Sequence, residues 1–393
     1  MRFGIYVHFP YCLSKCRYCD FFSMTSPAPH EAYAQAIGEE LRLRQVQWAN
    51  RRAGSLYLGG GTPSLWEPTS MEKAMLLIAR SVTFDSDSEW TLEANPGTID
   101  AARLAAFRAI GFDRLSLGIQ SFDDALLSQL GRRHSGAQAR SALAAARAAG
   151  FDNLSLDLIY GLPGQTLTAA LDDLGQALDT GIEHLSHYEL MIDDLETKTP
   201  LARDVERGAV SLPGEDAVFE MGQALVERAC AAGLTRYEIS SFARPGRASR
   251  HNQLYWTGGE YLGLGCGAVG FALHDPSRPA LGGRRWVNLR DPDRYFGALE
   301  RGELPEASSE DLDADELFDE WLSLGLRQCA GVDLVEAIQR FELPRSRIDA
   351  IHARAEALIA RGWEGCLERS DDRLWLTRKG LDLHTELAVR LIG

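Results

Sequence analysis

Short apolar runs recur through the first half of the chain, spaced so that one helix fits between each pair. Segments 3–7, 55–58, 91–94, 114–117, 153–158 and 184–188 read as strands. Between them lie Ala-rich amphipathic segments such as 101–110 and 137–149, closed by Gly111 and Gly150 where a helix C-terminal cap is expected. Six such strand-and-helix units predict an α/β fold with a parallel sheet curled towards a barrel. Ligand chemistry in such folds gathers at the carboxyl ends of the strands.

The alternation weakens after about Glu196. Residues 217–232 read as a further helix, and 258–270 as a glycine-dense run whose simplest role is a buried backbone turn. A polar, acidic stretch at 303–315 leads into a helical region at 316–362 and a short hairpin at 363–376, the order of a small winged-helix-like domain. The expected division is a larger domain over 1–300 and a helical C-terminal domain over 301–393.

Composition is that of an ordinary globular chain of 393 residues, 45% hydrophobic and 25% charged. Lys plus Arg number 41 against 56 Asp plus Glu, a net charge of −15, which would repel nucleic acid and anionic membrane surfaces. That charge favours a packing or partner-docking role for the winged-helix-like domain over DNA binding. No apolar stretch is long enough to cross a bilayer and the start of the chain lacks the regions of a signal peptide, so a cytoplasmic location is expected. Of seven cysteines, Cys230, Cys266, Cys329 and Cys366 are scattered singly, which argues against a disulfide framework.

The other three, Cys12, Cys16 and Cys19, fall within eight residues. A structural zinc site would need a fourth ligand, and clustered buried cysteines are a further alternative. Three thiolates also suit a four-iron cluster with one iron open to a small chelating ligand. Gly59-Gly60-Gly61-Thr62-Pro63-Ser64 follows the second strand; the glycines let a ligand approach the backbone, although taken alone the run reads more simply as a tight turn. Without a following Gly-Lys-Ser/Thr it is no Walker A loop. Glu93 ends the third strand, Gln120 the fourth and Asp157 the fifth, with Arg132 and His134 between the last two. A carboxylate there can accept hydrogen bonds from a cationic ligand, Gln120 can donate and accept, and Arg132 can fork onto a carboxylate. Solvated charges, a helix cap and a surface salt bridge are the plainer readings.

The triad, Gly59-Gly60-Gly61-Thr62-Pro63, Gln120-Ser121-Phe122, Arg132 with His134, and the run Asp157 to Gln165 occur in this order and resemble the oxygen-independent coproporphyrinogen III oxidase-like family of radical S-adenosylmethionine (SAM) proteins. The resemblance extends over nearly the whole chain. It implies that Cys12, Cys16 and Cys19 ligate a [4Fe-4S] cluster whose open iron binds SAM. Tyr6, Tyr18, Gly60, Gly61, Thr62, Glu93, Gln120, Arg132 and Asp157 would contact SAM, on a partial (β/α)6 barrel followed by a helical C-terminal domain.

That family has two branches. Coproporphyrinogen III dehydrogenases, which use SAM to decarboxylate propionates oxidatively, carry a further cysteine two positions after the triad and a long segment ahead of it; here the position is Phe21, and Cys12 has eleven residues before it. The string His251-Asn252-Gln253-Leu254-Tyr255-Trp256 resembles a signature of the HemW haem-chaperone branch, where Val269 would be histidine. An imidazole beside aromatic rings is apt for haem, which makes His251 the candidate haem ligand, against the plainer reading of a capping or surface histidine. The expectation is a haem chaperone that retains its cluster and SAM site and passes haem to acceptor proteins, respiratory complexes at the cytoplasmic membrane face among them. The alternative is the dehydrogenase. Whether SAM is cleaved, and whether the chain is a homodimer, stays open on this reading.

Overall fold

The computed structural model describes residues 2–192 and 198–393. Among them twelve strands form one sheet: β1 (Arg2–Phe9), β2 (Arg52–Gly60), β3 (Thr83–Ala94), β4 (Arg114–Gln120), β5 (Leu154–Tyr160), β6 (His184–Glu189), β7 (Thr235–Arg236), β8 (Ser241–Ala243), β9 (Tyr261–Leu264), β10 (Val269–Leu273), β11 (Gly283–Asn288) and β12 (Glu306–Leu312). Their order is β12-β11-β10-β9-β1-β2-β3-β4-β5-β6-β8-β7. The six expected strands pair in parallel in chain order, β1 to β6. Helices return the chain between them, as right-handed crossovers require. The Ala101–Ile110 helix starts on Asp100, whose side chain accepts from the Arg103 amide, and ends at Gly111 with φ 121°, a conformation that favours glycine. A reciprocal Ser135–Gln138 capping box opens the Gly136–Ala148 helix.

The glycine-dense run departs from expectation. Instead of only a turn, it supplies β9, which lies parallel to β1, and β10, which starts an antiparallel extension. These strands press close: a Cβ on Gly263 would lie 2.0 Å from the Val269 carbonyl oxygen. The acidic stretch at 303–315 contains β12, paired antiparallel to β11, so the large sheet runs to residue 312, past the expected division at 300. The expected loss of alternation near Glu196 falls outside the described residues.

Buried side chains of β1 to β6 and the surrounding helices form the main core, among them Phe3, Ile5, Leu56, Leu92, Leu117 and Leu156. A second core binds the C-terminal helices, Ala314–Leu326, Leu334–Phe341 and Arg345–Ala360, to a three-stranded sheet of β13 (Val332–Asp333), β14 (Leu367–Ser370) and β15 (Arg373–Leu376). Phe271, Leu273 and Leu312 of the large sheet belong to that second core, so the two units pack against each other. No described helix is long and apolar enough to cross a membrane.

One buried polar cluster ties the barrel extension to the first helix, His30–Trp48. Glu40 accepts from Arg44 Nε (3.0 Å), Asn288 Nδ2 (2.7 Å), Tyr295 Oη (2.8 Å) and the Gly265 amide (2.8 Å). Arg44 also donates to Glu306 at 2.9 Å. Both Glu40 and Arg44 are buried; Glu40→Ala would leave Arg44 its Glu306 partner but strip Tyr295 Oη and the Gly265 amide of their acceptor, and in denaturant titration it is expected to cost about 2–4 kcal/mol. Glu39→Ala, at a solvent-exposed pair with Arg42, is expected to be nearly neutral.

Candidate functional site

A cavity of about 630 Å³ opens at the carboxyl ends of the barrel strands. Cys12, Cys16 and Cys19 line it, all partly buried and none in a disulfide. Their loop is held from several sides. The Cys12 amide donates to Met24 O (2.8 Å), the Arg17 amide to Leu130 O (3.0 Å), and the Arg17 guanidinium pairs with Asp204. The glycine loop fixes it from below: Gly61 N donates to Phe9 O (2.8 Å) and Thr62 N to Tyr11 O (2.9 Å). A Cβ on Gly60 (φ 111°) would lie 2.6 Å from the His8 ring, and one on Gly61 2.8 Å from the Pro10 carbonyl carbon. These glycines therefore let the second strand's loop reach the cysteine loop. Thr62 Oγ1 contacts Cys12 Sγ at 3.4 Å and Arg132 Nη1 contacts Cys16 Sγ at 3.6 Å, so two polar groups already address the thiols. No three His, Cys, Asp or Glu side chains among the described residues converge on a single-ion site.

Sheet register builds the wall opposite the thiols. Glu93 pairs with Ser116 across β3 and β4, and Asp157 with Ser186 across β5 and β6; all four side chains line the cavity. Tyr57 Oη donates to Glu93 Oε1 (2.7 Å) and Gly60 N to Oε2 (3.2 Å). Burial nonetheless pushes the Glu93 carboxyl up to about 7, partly offset by the Tyr57 bond, and burial pushes Asp157 up to about 6 against the pull of Arg114. Two carboxyls short of compensating charge favour a cationic guest. Gln120 sits at φ 70°, left-handed for a non-glycine residue, where the β4–β5 register shifts between Gly118 and Gln120. Such a conformation costs on the order of 1–3 kcal/mol and turns the side chain into the cavity wall. Arg132 donates to Asn95 Oδ1 (2.5 Å) and Gly118 O, while its Nε is buried without a partner. Arg132 lines the cavity, and a guanidinium there fits an anionic group such as a carboxylate.

Residues 6–175 match the Radical SAM superfamily and residues 312–383 the HemN C-terminal domain. Heme chaperone HemW of Mycobacterium tuberculosis is 35% identical, over all of this chain and 95% of that protein. Heme chaperone HemW of Bacillus subtilis is 32% identical, over 99% and 98%. A mouse mitochondrial protein, radical S-adenosyl methionine domain-containing protein 1, is 37% identical over 92% of this chain and 81% of its own. The chain belongs to the HemW branch of the HemN-like radical SAM family. The solved structure of Escherichia coli HemN, a coproporphyrinogen III oxidase described as a radical SAM enzyme, shares the fold, with a TM-score of 0.82 at 22% identity over 100% of this chain and 90% of that one.

Within this radical SAM frame, Tyr18, Gly60, Gly61, Thr62, Glu93, Gln120, Arg132 and Asp157 line the same cavity as the triad. Tyr6 and His251 do not. Tyr6 Oη is hydrogen-bonded to His8 Nδ1 (3.0 Å), and burial raises its phenol, so it lies beneath the wall. His251 is 1% exposed, its Nδ1 bonded to Ser55 Oγ (2.8 Å) and its Nε2 to Tyr255 Oη (2.8 Å). In this arrangement both ring nitrogens are already hydrogen-bonded within the protein. His274, by contrast, is half-exposed beside Asp311. The sequence reading passed over Tyr57, Arg114, Ser116, Ser186 and Asn252 in the wall. The first four could have been found by period-two alternation, which marks polar residues inside otherwise apolar strands.

Proposed function

We propose that this chain is a haem chaperone that holds a [4Fe-4S] cluster on Cys12, Cys16 and Cys19, binds SAM in the adjoining cavity, and delivers haem to acceptor proteins, including respiratory complexes. The observation that carries the SAM part is the union of three free thiols, two undercompensated carboxyls and an arginine in one cavity. Glu93 and Asp157 would hold the cationic end of SAM, and Arg132 its carboxylate. When bound, the cluster supplies the open iron that chelates SAM and the electron that can cleave it. The protein's part is to orient the ligand and limit water at the thiols.

Haem enters this reading through the relatives called haem chaperones, two of which match end to end. The cavity mouth supports it: Phe21 is 68% and Met191 72% exposed, and with Tyr188 of β6 they line the cavity, an apolar rim suited to a flat macrocycle. Phe21 also weighs against the dehydrogenase reading, which the resemblance associates with a cysteine at that position. After anaerobic reconstitution, haem titration and conversion of coproporphyrinogen III with SAM and a reductant are measured in parallel. Stoichiometric haem binding without decarboxylation is expected; decarboxylation without stoichiometric haem would overturn the proposal.

A further inference from the structure

The helix Arg250–Trp256 carries the signature of the haem-chaperone branch, yet its histidine points away from any surface. It packs against β1 and β2 beneath the barrel: a Cβ on Gly4 would lie 3.0 Å from the His251 ring, and Ser55 of β2 holds Nδ1. Glu89, in register with Ser55, accepts from the Arg250 amide at 3.0 Å. Asn252, the next residue, forms part of the cavity wall, so this helix is the floor of the SAM cavity.

From that floor a short chain of contacts leads upward. The His251 ring stacks on Tyr57 with centroids 5.2 Å apart and planes inclined by 29°. Tyr57 in turn donates to Glu93 Oε1 at 2.7 Å. At its other end the helix is gripped by the C-terminal unit: Arg327 lies 4.5 Å over the Trp256 ring, Gln328 donates to Trp256 O at 3.3 Å, and Arg340 donates to Thr257 O at 2.8 Å. A ring held at both nitrogens and stacked on one face cannot turn without releasing Tyr57.

We infer that His251 is a positioning residue of the SAM site: Ser55 and Tyr255 fix its ring, the ring fixes Tyr57, and Tyr57 holds Glu93 where it meets the cationic end of the ligand. The inference rests on the SAM reading proposed above. It gives the signature a duty other than haem ligation, and it connects the SAM wall to the C-terminal unit through Trp256.

The test uses the full chain with its cluster reconstituted anaerobically, SAM affinity measured by equilibrium dialysis, and the haem absorption spectrum recorded alongside. His251→Phe keeps a ring but loses both hydrogen bonds; a loss of about tenfold in SAM affinity is expected, the worth of a buried hydrogen bond. Tyr57→Phe should lose a similar factor, and the double variant no more than the weaker single one, because both act through one contact. His251→Gln, which retains a donor and an acceptor, should recover most of the affinity. The haem spectrum should not change in any of them. Unchanged SAM affinity in His251→Phe, losses that multiply in the double variant, or a haem spectrum that loses an axial ligand would each overturn the inference. If His251→Phe does not fold, the remaining pair decides: Tyr57→Phe must lose affinity while His251→Gln nearly keeps it, and wild-type affinity in Tyr57→Phe refutes the chain of contacts. Absence of SAM binding by the unsubstituted, cluster-loaded chain would instead overturn the SAM reading itself.

Discussion

Cys16→Ser is expected to abolish cluster assembly, with iron and sulfide content after reconstitution falling to background and SAM binding lost with it. The reason lies in the number of thiols. Three reach the cavity and each would serve one iron of the proposed cluster, so loss of any would leave two irons open on a partly solvated loop. Burial raises the Cys12 thiol and pushes Cys19 up to about 11, so in the empty protein these thiols are protonated. Metal binding must displace those protons. The fold should survive, because the loop is held by backbone bonds at Cys12, Arg17, Gly61 and Thr62, and the Cys16 side chain adds only a long contact with Arg132. Cys230→Ser, at an exposed thiol remote in sequence, is the control and should leave the iron content unchanged.

Glu93→Gln is expected to weaken SAM binding by about thirty- to a hundredfold, the worth of a hydrogen bond to a charged group. It keeps the shape of the side chain and the Tyr57 contact while removing the charge that meets the ligand. The pH dependence is the sharper readout. Glu93 ionises near 7 and Asp157 near 6 in the empty cavity, both held up by burial. A cationic ligand binds the ionised forms, so affinity should rise with pH through this window and fall as each carboxyl takes up a proton. In Glu93→Gln the step near 7 should vanish and the one near 6 remain. A flat profile between pH 5.5 and 8 in the unsubstituted protein, a range chosen about those two ionisations, would contradict the assignment of these carboxyls to the ligand.

The first six strands were legible because each is a short apolar run set off by a helix with its own stop, as at Gly111. Their ligand-bearing residues followed from the rule that chemistry sits at carboxyl strand ends, and Glu93, Gln120 and Asp157 line the cavity. β9 and β10 were hidden because close packing there excludes side chains, leaving glycine where a strand would normally carry β-branched residues. β12 was hidden because an outer strand keeps its charged residues exposed and so reads as a linker. The setting of His251 was not legible. Its surroundings come from Ser55, 196 positions away, and from Tyr57, and no local pattern announces that a histidine in a polar, aromatic string will be sealed beneath a barrel.

The most direct test of the central claim is haem transfer. The cluster-loaded chain is charged with one equivalent of haem, freed of excess, and mixed with an apo haem protein whose holo spectrum differs from the donor's. The account predicts that the acceptor spectrum appears faster than with the same quantity of haem bound to serum albumin, and that the cavity-rim variant Phe21→Ser transfers less. Transfer no faster than from albumin, together with decarboxylation of coproporphyrinogen III by the same preparation, would contradict it.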